Sequence, residues 1–137
     1  DGVEFLGEVT GQSLSELYAS ADVFCFPSTT DTFGQVLIEA GASGLPVVAA
    51  AAGGGAELVR HNENGLLVPP DDAIAFQAAL RILATDDRLR ARLGAGGRRA
   101  AVARSWPSSL AQLQAAYASV ARPRHAATST RRAVVAA

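Results

Sequence analysis

Three short apolar runs recur along the chain, at 22–26 (Asp-Val-Phe-Cys-Phe), 45–50 (Leu-Pro-Val-Val-Ala-Ala) and 66–68 (Leu-Leu-Val), with helix-patterned segments between them. Runs this short and rich in Val, Leu and Phe read as buried strands. Strands separated by helical segments cannot close as hairpins. They pair in parallel through crossover connections, with helices covering the sheet. The predicted fold class is therefore α/β, a doubly wound, Rossmann-like parallel sheet. Val3, Phe5 and Leu6 add an expected first strand that ends at Gly7.

In such sheets ligands bind where strands end and helices begin. The segment that follows the run at 22–26 is Pro27-Ser28-Thr29-Thr30-Asp31-Thr32-Phe33-Gly34-Gln35-Val36-Leu37-Ile38-Glu39-Ala40. Val36, Leu37 and Ala40 recur at helical spacing, which predicts a helix opening near Gly34. A helix N-terminus offers unpaired N–H groups and the positive end of a dipole, and both favour a phosphate. Two carboxylates flank this seat, Asp31 in the loop and Glu39 inside the helix. Glu39 would stand ~7.5 Å up the axis at ~1.5 Å per residue. A nucleotide-diphosphate sugar has hydroxyl-bearing rings on both sides of its phosphates. One carboxylate on each side can accept hydrogen bonds from those rings.

The segment resembles the carboxylate-x7-carboxylate motif of retaining GT-B glycosyltransferases of family four. Asp31-Thr32-Phe33-Gly34 stands where most members read Glu-Gly-Phe-Gly, a variant similar to the branch of α-mannosyl- and sulfosugar transferases. The resemblance continues through Gly44-Leu45-Pro46-Val47-Val48-Ala49, Gly53-Gly54-Gly55-Ala56-Glu57-Leu58-Val59, Asn64-Gly65-Leu66-Leu67-Val68 and Ser105-Trp106. It implies a hexosyltransferase that uses a nucleotide-diphosphate sugar, possessing no other cofactor and no metal, with mannose as one candidate sugar. It implies Asp31 and Glu39 as the catalytic pair, Asp31 on the sugar hydroxyls and Glu39 on the ribose. Val9, Thr32, Phe33, Gly34, Gln35 and Val36 complete the implied donor-binding set, with the N–H groups of Gly34, Gln35 and Val36 on the diphosphate. Val9 would meet the nucleobase.

The same resemblance identifies residues 1–121 as part of a GT-B donor domain with C-terminal helices. The acceptor-binding domain and the first donor-domain strands, which carry a Gly-rich loop and a basic pair, would precede it. The acceptor, a glycan, lipid or small molecule, would be held by that N-terminal domain. The piece alone is expected to bind without turning over. Two alternatives stay open: a non-catalytic nucleotide-binding module, and a sugar-nucleotide epimerase of the same architecture.

Composition narrows the classes further. Over 137 residues the net charge is −1, which argues against a general nucleic-acid binder. No apolar run reaches membrane-spanning length and the start has no signal-peptide pattern, so a cytoplasmic location is the expectation. Residues 122–137 hold four Arg, Pro, Ser, Thr and no acid. They read as a disordered basic tail, either solvated or in peripheral contact with the inner face of an anionic membrane.

Smaller signals complete the reading. Ser13-Leu14-Ser15-Glu16 has capping-box spacing, with Leu14, Leu17 and Tyr18 as a core stripe. Gly53-Gly54-Gly55 is expected to line the sugar site, and a helix over 56–60 to carry Glu57 in its first turn and His61 at its end. Gly94, Gly96 and Gly97 are expected to interrupt the helix near 87–93, and Ser109 to cap a last helix after a break at Trp106-Pro107. Cys25 reads as a buried structural thiol.

Overall fold

A computed structural model describes residues 2–104 and 106–120. The chain divides into two compact units, 1–105 and 106–137. The first holds a sheet of three parallel strands, β1 (Phe24–Phe26), β2 (Val47–Ala50) and β3 (Gly65–Val68), in the order β1-β2-β3. α1 (Gly11–Ser20) precedes β1, while α2 (Gln35–Ala42) and α3 (Gly53–Leu58) make the two crossovers. α4 (Ala73–Thr85) and α5 (Asp87–Ala103) follow β3. The second unit opens with α6 (Trp106–Val120).

Period-two alternation along each strand explains why one sheet supports two cores. Phe26, Val47 and Ala49 face Leu37, Ala40 and Val59, with Tyr18, Phe24 and Leu58 packed at the margin. On the opposite side, Val48, Leu66 and Val68 meet Ala79 and Leu83 of α4 and Leu93 of α5. The doubly wound reading of the sequence holds in this arrangement.

Several expectations are corrected. Residues 2–10 form no strand, and Val3 and Phe5 are 83% and 94% exposed. A strand needs a neighbour to satisfy its N–H and C=O groups, and no described segment supplies one here. The capping box does not form, because α1 begins at Gly11 and Ser13 lies inside it. Gln12 bonds to Glu16 across one turn instead. Cys25 is exposed, since alternation turns it away from the core that Phe24 and Phe26 join, and on its own side the second core is built on β2 and β3, leaving the edge strand open.

α5 runs unbroken through Gly94, Gly96 and Gly97, all buried. A Cβ on Gly94 would collide with the carbonyl of Gly44, and one on Gly96 with the carbonyl of Glu63. Gly97 sits against Gly41 of α2. Here the glycines permit close backbone approach and do not break the helix. α6 begins at Trp106 and contains Ser109, so Ser109 is no cap. Pro107 falls in the first turn, where its missing N–H costs nothing. The expected tail at 122–137 lies outside the described residues. Among those described, no helix is long and apolar enough to cross a membrane.

Candidate functional site

The turn between β1 and α2 emerges from the carboxyl end of the sheet. α2 opens immediately after Gly34, whose φ of 61° places it in the left-handed region that glycine adopts without strain. The predicted helix start near Gly34 is thus observed.

Asp31 organises this turn. Its Oδ1 accepts hydrogen bonds from the N–H of Phe33 (2.9 Å) and of Gly34 (2.8 Å). Its own N–H donates to Ser28 Oγ at 3.2 Å, and its carbonyl accepts from Gly54 N–H at 2.8 Å. The N–H of Gly34, expected to serve a phosphate, is therefore committed to Asp31. The first N–H of α2 to find a carbonyl is that of Leu37, bonded to Gly34 at 2.9 Å. Between them Gln35 and Val36 are the two N–H groups of the first turn with no acceptor in the described structure, as helix geometry requires at an uncapped start.

The two bonds to Oδ1 favour the ionised carboxylate and hold the Asp31 pKa below its ordinary 3.8. A carboxyl whose pKa falls on folding adds stability above its ordinary value and loses it as the pH drops through the lowered one. The amide resonances of Phe33 and Gly34 should therefore titrate with a midpoint below pH 3.8. A midpoint at or above that value would contradict the bonding.

The glycine run 53–55 is tied to the same turn. A Cβ on Gly53 would strike the carbonyl of Asp31, and one on Gly54 would lie 2.8 Å from Gly34 N and 2.9 Å from its Cα. The run opens α3 at Gly53, three residues earlier than expected, which removes Glu57 from the first turn. His61 lies beyond α3 and its Nδ1 accepts from Leu67 N–H at 3.1 Å, so it steadies β3 and does not cap a helix.

Glu39 sits half-buried on α2, where its Oε2 accepts a 3.3 Å hydrogen bond from the Tyr18 hydroxyl of α1. Burial, then the charge of Glu39 and this bond, push the Tyr18 pKa up. Tyr18 also lies 5.7 Å, ring to ring, from Phe24 of β1. The sequence reading placed Tyr18 in the core stripe and missed this contact. The available signal was a phenol on an otherwise apolar helix face, since a partly buried hydroxyl seeks a partner.

Asp31, Gly34, Gln35 and Val36 are thus brought together by one turn, with Glu39 further along the same helix. Thr32 and Phe33 are exposed on the turn, Phe33 by 73%. Val9 is half-buried just ahead of α1 and makes none of the hydrogen bonds that build the turn. The first Arg in the chain is Arg60. Residues 1–59, which build the turn, therefore bring no cationic side chain to it. Among the described residues, no group of three or more His, Cys, Asp or Glu is placed to hold a metal ion.

A parallel sheet with helices on both faces and an open helix start at its carboxyl end defines a Rossmann-like domain. The model of the family described as "Glycosyl transferases group 1" matches residues 1–100. The D-inositol 3-phosphate glycosyltransferase of Salinispora arenicola is 42% identical over 117 residues, covering 85% of this chain and 26% of that protein. The GDP-mannose-dependent alpha-mannosyltransferase of Mycolicibacterium smegmatis is 43% identical over 104 residues, 75% of this chain and 27% of its own. Among solved structures, sucrose-phosphate synthase from Thermosynechococcus elongatus superposes with a TM-score of 0.75 at 37% identity, over 85% of this chain and 29% of that one. Anabaena HepE in complex with UDP gives 0.68 at 31%, over 80% and 30%. The chain belongs to the group 1 glycosyltransferase family, and it spans about a quarter of the length of the curated relatives it matches.

Proposed function

We propose that this chain is the donor-binding portion of a retaining glycosyltransferase that moves a hexose, with mannose as one candidate, from a nucleotide-diphosphate sugar to an acceptor. The observation that carries the proposal is the pair of open N–H groups on Gln35 and Val36, aimed from a helix start beside two carboxylates. The diphosphate would sit on those N–H groups and on the α2 dipole. Asp31 keeps Oδ2 for a sugar hydroxyl while Oδ1 holds the turn, and Glu39 keeps Oε1 for the ribose while Oε2 meets Tyr18. Exposed Thr32 and Phe33 would border the sugar, and Val9 the base.

As the anomeric C–O bond breaks, negative charge collects on the departing diphosphate. Preorganised amides stabilise that charge without needing to reorient, and the remaining work is to position the acceptor oxygen. Amide binding of this kind needs neither a metal nor another cofactor. The cationic share of diphosphate binding, the acceptor site and any peripheral membrane contact are assigned to segments other than the turn. Support for a nucleotide donor comes from HepE, whose structure holds UDP, and for mannose from the GDP-mannose-dependent relative.

Calorimetric titration of the chain with UDP, GDP and inorganic pyrophosphate tests the reading. Saturable binding of at least one nucleoside diphosphate, tighter than pyrophosphate, is expected. Absence of binding by either nucleotide would overturn it.

A further inference from the structure

We infer that Tyr18 is a positioning residue for nucleoside recognition, holding one oxygen of Glu39 so that the other meets the ribose. The inference rests on the donor-site reading above and adds to it a residue on a different element. Three observations converge. The Tyr18 hydroxyl lies 3.3 Å from Glu39 Oε2 across the α1–α2 boundary. The Tyr18 ring is fixed by the core, packed with Phe24 of β1 at 5.7 Å and against the cluster of Phe26, Leu37 and Val47. The Glu39 carboxylate has no other hydrogen-bond or ion-pair partner among the described residues.

A glutamate on the second turn of a helix has three rotatable side-chain bonds, and ordering it costs entropy. A phenol anchored in the core offers a donor at a fixed position, so part of that ordering is complete before a ligand arrives. A carboxylate has about four lone-pair sites on two oxygens, and one bond to Oε2 leaves Oε1 free for the two ribose hydroxyls. At 3.3 Å the bond is longer than the usual O–H···O separation. Such contacts commonly tighten once a ligand is in place. The direction of the Tyr18 pKa agrees, since the phenol is held neutral and therefore able to donate.

Tyr18→Phe removes the hydroxyl and keeps the ring in the core. Titrations of wild type, Tyr18→Phe, Glu39→Gln and the double variant with UDP, GDP and inorganic pyrophosphate separate the roles. Tyr18→Phe is expected to weaken the nucleoside diphosphate about fivefold, the size of one ordinary hydrogen bond, and to leave pyrophosphate within about twofold. In the Glu39→Gln background the same substitution should cost nothing further, because the carboxylate it serves is gone.

Equal losses for nucleotide and pyrophosphate would show a general disturbance and overturn the inference. So would unchanged nucleotide affinity, or a loss that persists in Glu39→Gln. Failure of wild type to bind either nucleotide would instead remove the donor-site reading, and this inference with it. A second measurement needs no ligand: in a Tyr117→Phe background, spectrophotometric titration should show Tyr18 ionising at lower pH once Glu39 is Gln. An unchanged ionisation would break the pairing itself.

Discussion

Gly96→Ala should destabilise the protein by about 2 kcal/mol, although helix propensity alone predicts the opposite. Alanine is favoured over glycine in a helix interior by about 0.8–1.0 kcal/mol. At Gly96, however, the added Cβ meets the carbonyl of Glu63, a backbone atom with no rotamer to swing aside. Relief requires α5 to shift, yet α5 is also pinned where Gly97 meets Gly41 and where Gly94 meets Gly44. Overpacking of this type costs about 1–3 kcal/mol and sometimes more, which outweighs the propensity gain. Urea unfolding should show a lower midpoint with an unchanged slope. A stabilised variant would mean that the glycines are tolerated only as weak helix formers.

Glu39→Ala should weaken nucleoside diphosphate binding about tenfold while leaving the fold intact. Hydrogen bonds to an ionised group are worth about 1.5–3 kcal/mol, and the half-exposed setting of Glu39 places the effect at the lower end. Alanine is a better helix former than glutamate, and Glu39 makes no ion pair among the described residues, so α2 persists. Loss of affinity is thereby separated from loss of structure. Calorimetry on wild type and variant decides it, and equal affinity would remove Glu39 from the ribose.

Much of the architecture was legible because it depends on local pattern. The runs at Val47–Ala50 and 66–68 lie between the two cores, and buried parallel strands read as continuous apolar stretches, while Phe24–Phe26 buries one face at the sheet edge. The start of α2 was legible from Val36, Leu37 and Ala40, with glycine at the left-handed position that precedes it. What failed depended on partners distant in sequence. Val3–Phe5 has strand composition, but a strand exists only with a neighbour. Gly94 and Gly96 carry the same sequence signal whether they break a helix or admit a carbonyl from Gly44 or Glu63.

At the site, the placement of Asp31 in the loop and of Glu39 on the helix that follows was legible, whereas the direction of Asp31 was not. An aspartate ahead of a helix can face outward to a ligand or fold back on the N–H groups two and three residues on, and the two readings share one sequence. Oδ1 folds back here. Tyr18 was hidden for a related reason, since its ring does belong to the core and only its hydroxyl reaches the site.

Amide resonances of the isotope-labelled chain, followed during titration with UDP or GDP, examine the open helix start atom by atom. The N–H signals of Gln35 and Val36 should move together and saturate with the calorimetric affinity, while that of Gly34, already bonded to Asp31, moves less. Nucleotide binding that leaves Gln35 and Val36 unmoved would contradict the anion seat on which the donor-site account stands.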